Sequence, residues 1–199
     1  MIEQTASRPL VMSLPNVLTY ARIAAVPVMA VCLYAFDSTF ARWMAMALFA
    51  AACLSDFLDG YLARAWQQQS SLGRMLDPIA DKLLVGAALL MLVHLQTVDG
   101  LSLFAALIIL SREILVSGLR EFLAELKVSL PVSQAAKWKT GAQMIAIGLL
   151  IAGPAGDTLI KGWTSAGLIM LWLSAGLTLW TGYDYLKAGI RHAMEPGQT

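Results

Sequence analysis

Charge is what this chain has least of. Of its 199 residues, 14% are Asp, Glu, Lys or Arg and 58% are hydrophobic. Soluble domains carry about 25% and about 45–50% respectively. A disordered chain is excluded, because disorder needs low hydrophobicity and high net charge. Lys and Arg number 14 against 13 Asp and Glu, a net charge of +1. That balance lacks the basic excess of a nucleic-acid binder, so no nucleic-acid partner is expected. Cysteine is scarce too: Cys32 and Cys53 both sit in apolar runs. They form neither metal-type spacing nor a disulfide framework and read as small hydrophobes in the interior. Met1–Ser13 holds Arg8 beside Glu3 and Gln4, without the basic start and small-residue cleavage site of a secretory signal. The chain has no strong internal repeat. It reads as a single domain over 1–199, with a juxtamembrane segment at 1–12 and a tail at 192–199.

What fills the chain instead is long apolar runs, with mean hydropathy +0.68. A membrane span needs ~20 residues, and in hydrocarbon every backbone N–H and C=O must be paired within its own segment. The runs therefore predict helices, near 16–36, 40–65, 77–95, 101–126, 135–153 and 160–186. The expected fold is all-α: an integral membrane bundle of six transmembrane helices with a cytoplasm-facing polar cavity. Pro15 and Asn16 mark a helix start, and Pro27 is expected to kink the first span. With the N-terminus inside, the inner side holds Arg8, Arg64, Arg74, Arg120, Lys127, Lys137, Lys139, Lys187 and Arg191, and the outer loops hold only Arg42 and Lys161. This positive-inside bias predicts that both termini and the active site are cytoplasmic. The outer loops, around Asp37, Asp99 and Asp157, leave little room for chemistry.

Polar residues within the spans cluster sharply. Asp56 and Asp59 are three apart, and Asp77 and Asp81 four apart, so each pair shares a helix face. The short loop between these helices makes them antiparallel neighbours whose cytoplasmic ends meet. Each carboxylate in hydrocarbon costs roughly 2.5–3.5 kcal/mol on insertion scales. Protonation, pairing with basic residues, or divalent cations in a wet cavity could offset that. Hard oxygen ligands suit Mg²⁺ or Mn²⁺, and two such cations held ~3.5–4 Å apart are a recurrent clamp for phosphoryl transfer. The bland alternative is a network of interfacial ion pairs. Gly60, Ala63 and Gly73 remove side-chain bulk beside the carboxylates, either for a ligand's approach or for helix packing.

The run Asp56-x2-Asp59-Gly60-x2-Ala63-Arg64-x8-Gly73-x3-Asp77-x3-Asp81 resembles, at every fixed position, the signature of the CDP-alcohol phosphatidyltransferases. These are six-helix membrane enzymes, commonly homodimers, that move a phosphate-linked group from a CDP-linked donor to an alcohol. The resemblance implies that Asp56, Asp59, Asp77 and Asp81 hold two divalent cations, Mg²⁺ or Mn²⁺. It implies that Asp81 is also the general base toward the acceptor hydroxyl. Gly60, Arg64 and Gly73 would bind the cytidine nucleotide and its diphosphate, and Ser70 is a candidate diphosphate ligand. Asn16 and Thr19, in the polar start of the first span, would border the nucleotide.

Three later stretches, Ser111-Arg112-Glu113-Ile114, Leu119-Arg120-Glu121-Phe122 and Lys137-Trp138-Lys139-Thr140-Gly141, are similar to bacterial members that use glycerol 3-phosphate as acceptor. The implied donor is CDP-diacylglycerol, and the implied site is the bacterial inner membrane. Ala136 departs from the Gly found there in those members. A phosphate-bearing acceptor needs its own cationic pocket. Arg112, in mid-span, should face a cavity, and with Lys137 and Lys139 it could hold a phosphate; Arg22 could join them. Alternatively, the two lysines serve topology and anionic-lipid attraction, and Arg112 pairs internally. Glu113 is a poor partner for it, since adjacent residues point to different helix faces. Another acceptor in the same family (serine, inositol phosphate or phosphatidylglycerol), a cation transporter and a purely structural membrane protein remain as competing functions. His94, Trp43, Trp66, Trp163, Trp172 and Trp180 read as interfacial or lipid-facing.

Overall fold

The computed structural model describes the backbone of residues 14–66, 71–125 and 134–194, and the side chains of 16–56, 73, 75–123 and 138–182. The expected juxtamembrane segment at 1–12 and residues 195–199 of the expected tail lie outside the described residues, while 192–194 continue α7. Among the described residues every regular element is a helix: α1 (Leu14–Ala35), α2 (Thr39–Trp66), α3 (Ser71–His94), α4 (Ser102–Glu125), α5 (Gln134–Ala152), α6 (Pro154–Asp157) and α7 (Trp163–Met194). Each of the six expected apolar segments is thus a helix. By length and composition, α1, α4 and α7 are long and apolar enough to cross a membrane, and Trp138–Ala152 forms a shorter apolar helix.

Three local differences have physical causes. Helix α3 begins at Ser71 rather than at 77, so Pro78 lies in its interior. Helix α7 runs on to Met194, because no breaker interrupts the chain before Pro196 and Gly197. A single turn, α6, breaks the connection between α5 and α7. Pro27 lies within α1, which continues on both sides of it. Cys32 and Cys53 are free thiols, half-buried rather than interior.

The chain divides into two compact units, residues 1–91 and 92–199. In the first, α1 packs on α2. Ala41, Ala45, Phe49 and Ala52 form the buried stripe of α2, at the three- and four-residue spacing of one helix face. The buried stripe of α1 is unusual. It reads Asn16, Thr19 and Arg22 over its first turns and only then Met29 and Leu33. One face of one helix is polar at its start and apolar beyond.

In the second unit α7 packs against both α4 and α5. Small residues permit this close approach, as is common among membrane helices. A Cβ at Gly167 would lie 2.9 Å from the Leu150 side chain. Trp163 pins the turn between α5 and α7. Its Nε1 donates to the Leu149 carbonyl at 2.9 Å, and its ring lies over Gly156, where a Cβ would meet it at 2.3 Å. Asp157 ties the start of α7: Oδ1 accepts the Thr164 backbone N–H at 3.2 Å, and Oδ2 accepts the Thr164 hydroxyl. Large apolar side chains such as Leu107, Leu115, Leu173 and Leu179 stand exposed on α4 and α7, as a lipid environment requires. Trp172 and Trp180 are exposed as well.

Two outcomes follow from this turn. Gly156→Ala forces the rigid indole to move, an overpacking that costs about 1–3 kcal/mol and is expected to lower the thermal midpoint in detergent. The Thr164 hydroxyl, then the Thr164, Trp163 and Gly162 backbone N–H groups, hold the Asp157 carboxyl below the usual carboxylate range. A depressed folded-state value stabilises above the unfolded value, and the stabilisation is lost as pH falls through the folded one. Asp157→Ala should therefore destabilise by a constant amount from neutral pH down to about pH 4. The gap from the unaltered protein should close below that, as read from thermal midpoints across pH.

Candidate functional site

The polar start of α1 organises the first unit. Thr19 and Arg22 stand one turn apart, with Thr19 1% and Arg22 2% exposed. The Thr19 hydroxyl donates to Asp77 Oδ1 of α3 at 2.7 Å. The Arg22 guanidinium donates to Asp56 Oδ1 of α2 at 2.6 Å and reaches toward the Ser55 hydroxyl at 3.5 Å. Ser55 in turn donates to the Ala52 carbonyl at 2.8 Å. Two aspartates from different helices are thus brought to consecutive turns of a third. Asp81 lies on the same face of α3 as Asp77, and both Asp81 and Asp56 lie within electrostatic reach of Cys53. Asp56 and Asp77 are thus both held at the start of α1, and Asp81 follows Asp77 by one turn of α3. The side chains of Asp59, Gly60 and Arg64 lie outside the described ones, although their backbone continues α2. Ser70 lies outside the described residues.

Burial sets the energetics. An arginine removed from water is destabilising by several kcal/mol unless it is paired. The Arg22 side chain is 1% exposed and that of Asp56 is 50% exposed, so the pair is half solvated and its net worth is at the low end for a salt bridge. Lys82 Nζ donates to the Pro78 carbonyl at 2.9 Å, so this cation is engaged with backbone. The Thr19 hydroxyl is a neutral donor: it orients Asp77 without cancelling its charge. Asn16 is buried beside these residues on α1, and Gly73 is buried on α3. Arg22, expected alongside Arg112 and the lysines, is held on Asp56.

The donor set suits a hard divalent cation. At both Asp56 and Asp77 the described hydrogen bond falls on Oδ1. One carboxylate oxygen is fixed by an outer partner and Oδ2 is left for a ligand, which is how outer partners orient metal-binding side chains. Among the described residues, no three of these groups close on a single point.

A second polar cluster lies in the second unit. Glu113 Oε1 accepts from Arg112 Nη1 at 3.2 Å and also from Lys139 Nζ of α5. The side chains are 13% exposed for Arg112, 18% for Glu113 and 1% for Lys139. This corrects the expectation that Glu113 is a poor partner for Arg112. The helix places their Cβ atoms apart, but two long side chains have the reach to bend toward each other when a third group, Lys139, draws the carboxylate in. Arg112 also lines a groove of about 440 Å³ between α4 and α7, with Ser111, Thr178, Gly182 and apolar neighbours such as Leu115 and Leu179. Its Cγ would lie 3.3 Å from a Cβ at position 182. Sequence reasoning missed Thr178, Ser174 and Gln143, whose buried polar oxygens have no hydrogen-bond partner among the described residues. Thr181 returns its hydroxyl to the Leu177 carbonyl at 2.8 Å. The side chain of Lys137 lies outside the described ones.

These observations define a helical membrane protein with an oriented aspartate cluster at the start of α1 and a buried cationic cluster on α4 and α5. Residues 12–180 match the CDP-alcohol phosphatidyltransferase profile, and the chain belongs to that family, whose members use divalent cations. A Rickettsia bellii protein is 51% identical over 176 residues, covering 88% of this chain and 94% of its own length. A Pseudomonas fluorescens protein is 40% identical over 190 residues, 94% of this chain and 95% of its own. An Arabidopsis thaliana protein is 37% identical over 188 residues, 89% of this chain and 79% of its own. The first two carry the name CDP-diacylglycerol–glycerol-3-phosphate 3-phosphatidyltransferase, and the third carries it with the suffix 2.

The Thr19–Asp77 bond yields a measurable expectation. Thr19→Val keeps the side-chain shape and removes the donor. It should weaken the apparent Mn²⁺ affinity by about 10–100-fold, the usual cost of losing an outer partner. Thr19→Ser should retain most of it. Titration of bound Mn²⁺ by paramagnetic resonance reads the difference.

Proposed function

We propose that this chain transfers the phosphatidyl group of CDP-diacylglycerol to glycerol 3-phosphate, giving phosphatidylglycerophosphate and CMP. One observation carries the reading: an aspartate signature whose Asp56 and Asp77 are oriented by buried donors of α1, in a chain 51% identical to a relative named for this reaction. Asp56, Asp59, Asp77 and Asp81 would hold two divalent cations, Mg²⁺ or Mn²⁺. When bound, these would neutralise the donor diphosphate and the charge developing at the transferring phosphorus.

The remaining roles belong to the chain. Asn16, Thr19, Gly60, Arg64, Ser70 and Gly73 surround the nucleotide and its diphosphate. Arg112, Lys137 and Lys139 take the acceptor's phosphate, for which arginine offers a forked contact and lysine a point charge. Asp81 accepts the proton of the acceptor's primary hydroxyl. The oxygen forms a bond to phosphorus in line as the bond to CMP breaks, and CMP leaves with the electron pair.

The same reading makes residues 1–199 one domain of six spans in the bacterial inner membrane, with both termini and the polar cavity cytoplasmic. The bias of Lys and Arg toward one side supports this orientation. The family match from 12 to 180 supports one domain, because it crosses from the first compact unit into the second. A homodimer fits the habit of the family.

CMP release from CDP-diacylglycerol tests the proposal. Release should require glycerol 3-phosphate and should stop when a chelator removes divalent cations. Asp81→Asn, which cannot accept the proton, should lose about 10²–10⁴-fold in kcat. Release that ignores glycerol 3-phosphate but responds to another alcohol would move the chain to another acceptor.

A further inference from the structure

We infer that Glu113 is a positioning residue for the acceptor's phosphate, although its charge is wrong for binding one. The inference rests on the reading above, which gives Arg112 and Lys139 that phosphate. The observation is that one oxygen, Glu113 Oε1, accepts from both Arg112 Nη1 and Lys139 Nζ. The two cations lie 27 residues apart in sequence, on α4 and α5, and are brought to a single point. Two nitrogens bonded to one oxygen lie at most about 6 Å from each other, close enough for one tetrahedral anion to touch both.

Two buried like charges repel, and the repulsion grows as water is excluded. The Lys139 side chain is 1% exposed and that of Arg112 is 13% exposed, so neither has much water to screen it. A carboxylate between them turns a mutually repelling pair into one preassembled clamp. The contact to Glu113 uses one of the five N–H donors an arginine carries. Gly182 contributes the space: the Arg112 stem passes where a Cβ at 182 would be 3.3 Å from Cγ. Glu113 itself is 18% exposed at its side chain, held by α4, so it acts through the two cations and not on substrate.

The sign of the effect separates this role from its opposite. A positioning carboxylate makes the phosphate bind better, whereas a competing one makes it bind worse. The test uses the full-length enzyme in detergent with Mg²⁺, following CMP release. Saturable dependence of the unaltered enzyme on glycerol 3-phosphate, with competition by inorganic phosphate, decides the acceptor reading without any variant. If another phosphate-bearing acceptor is used, the ratios below are read with that one. An acceptor without phosphate overturns both readings.

Glu113→Gln is expected to raise the acceptor KM about tenfold or more while the CDP-diacylglycerol KM stays within about twofold. Glu113→Asp, keeping the charge on a shorter arm, should recover about threefold of that loss. In a Lys139→Met background, where half the clamp is gone, adding Glu113→Gln should cost less than about twofold more. An acceptor KM that is unchanged or lower in Glu113→Gln overturns the inference, the lower value marking a competitor. Equal rises in both KM values, or no recovery in Glu113→Asp, also overturn it, since packing alone would give those results. If Glu113→Gln fails to accumulate in membranes, Glu113→Asp against the unaltered enzyme carries the test, with about a threefold rise confined to the acceptor KM.

Discussion

Thr19 and Arg22, three residues apart on α1, each hold an aspartate from a different helix. The rest of the first unit depends on this pair of contacts. Asp56 and Asp77 are 21 residues apart, on opposite sides of the connection between α2 and α3. Their convergence needs a third body that touches both, and the polar start of α1 is that body. An apolar residue at either position would leave a carboxylate facing a dry helix. The helix therefore changes character along one stripe, from Asn16, Thr19 and Arg22 to Met29 and Leu33. Its first turns serve the site and its later turns serve packing against the alanine-rich stripe of α2.

The second unit solves a related problem with opposite sign. Among its described residues two cations, Arg112 and Lys139, meet the carboxylate of Glu113. Buried ion pairs are poor stabilisers, because desolvation offsets most of the attraction. Hydrophobic residues of similar volume would fill the same space at least as well. The triad therefore contributes little to folding, which fits the acceptor-phosphate role proposed for Arg112 and Lys139. Among the described residues the oxygens of Gln143, Ser174 and Thr178 have no hydrogen-bond partner, and a buried hydroxyl or amide in that state is destabilising by about 1–3 kcal/mol. Thr181 shows the cheaper arrangement, returning its hydroxyl to the backbone of its own helix.

The helices were legible because an apolar run in hydrocarbon has one backbone solution. The expected segments and the six long helices agree to within a few residues at most ends. The exceptions are ends set by local chemistry. The third span was expected from about 77, but α3 takes up six further residues before Asp77 and carries Pro78 inside. The sixth span was expected to end near 186, yet α7 runs on to Met194, because no proline interrupts it before Pro196. The aspartate signature was legible as a set of shared faces, because three- and four-residue spacings fix a face. Its partners were not. That Arg22 meets Asp56 and Thr19 meets Asp77 is a fact of packing between distant segments, with no local signal in the chain. Glu113 was misread for a related reason: helix geometry separates the Cβ atoms of neighbours, but it does not bound where long side chains end, and Lys139 lies on another helix.

A polar network that existed only to tolerate aspartates in a membrane would place a cation on each of them. The described contacts do something different. Arg22 neutralises Asp56 in part, while Asp77 receives a hydroxyl, and Lys82 spends its ammonium on the backbone of its own helix. A hydroxyl bond to a carboxylate is worth about 1.5–3 kcal/mol and fixes direction, but it leaves the negative charge in place. Charge that is oriented and left standing is a cost to the fold. It is repaid only if something doubly positive or proton-bearing arrives, and the free oxygen, Oδ2, is the one the Thr19 contact leaves. The arrangement therefore argues for a site built to meet cations and a phosphate ester rather than for an ion-pair network that has settled its own account.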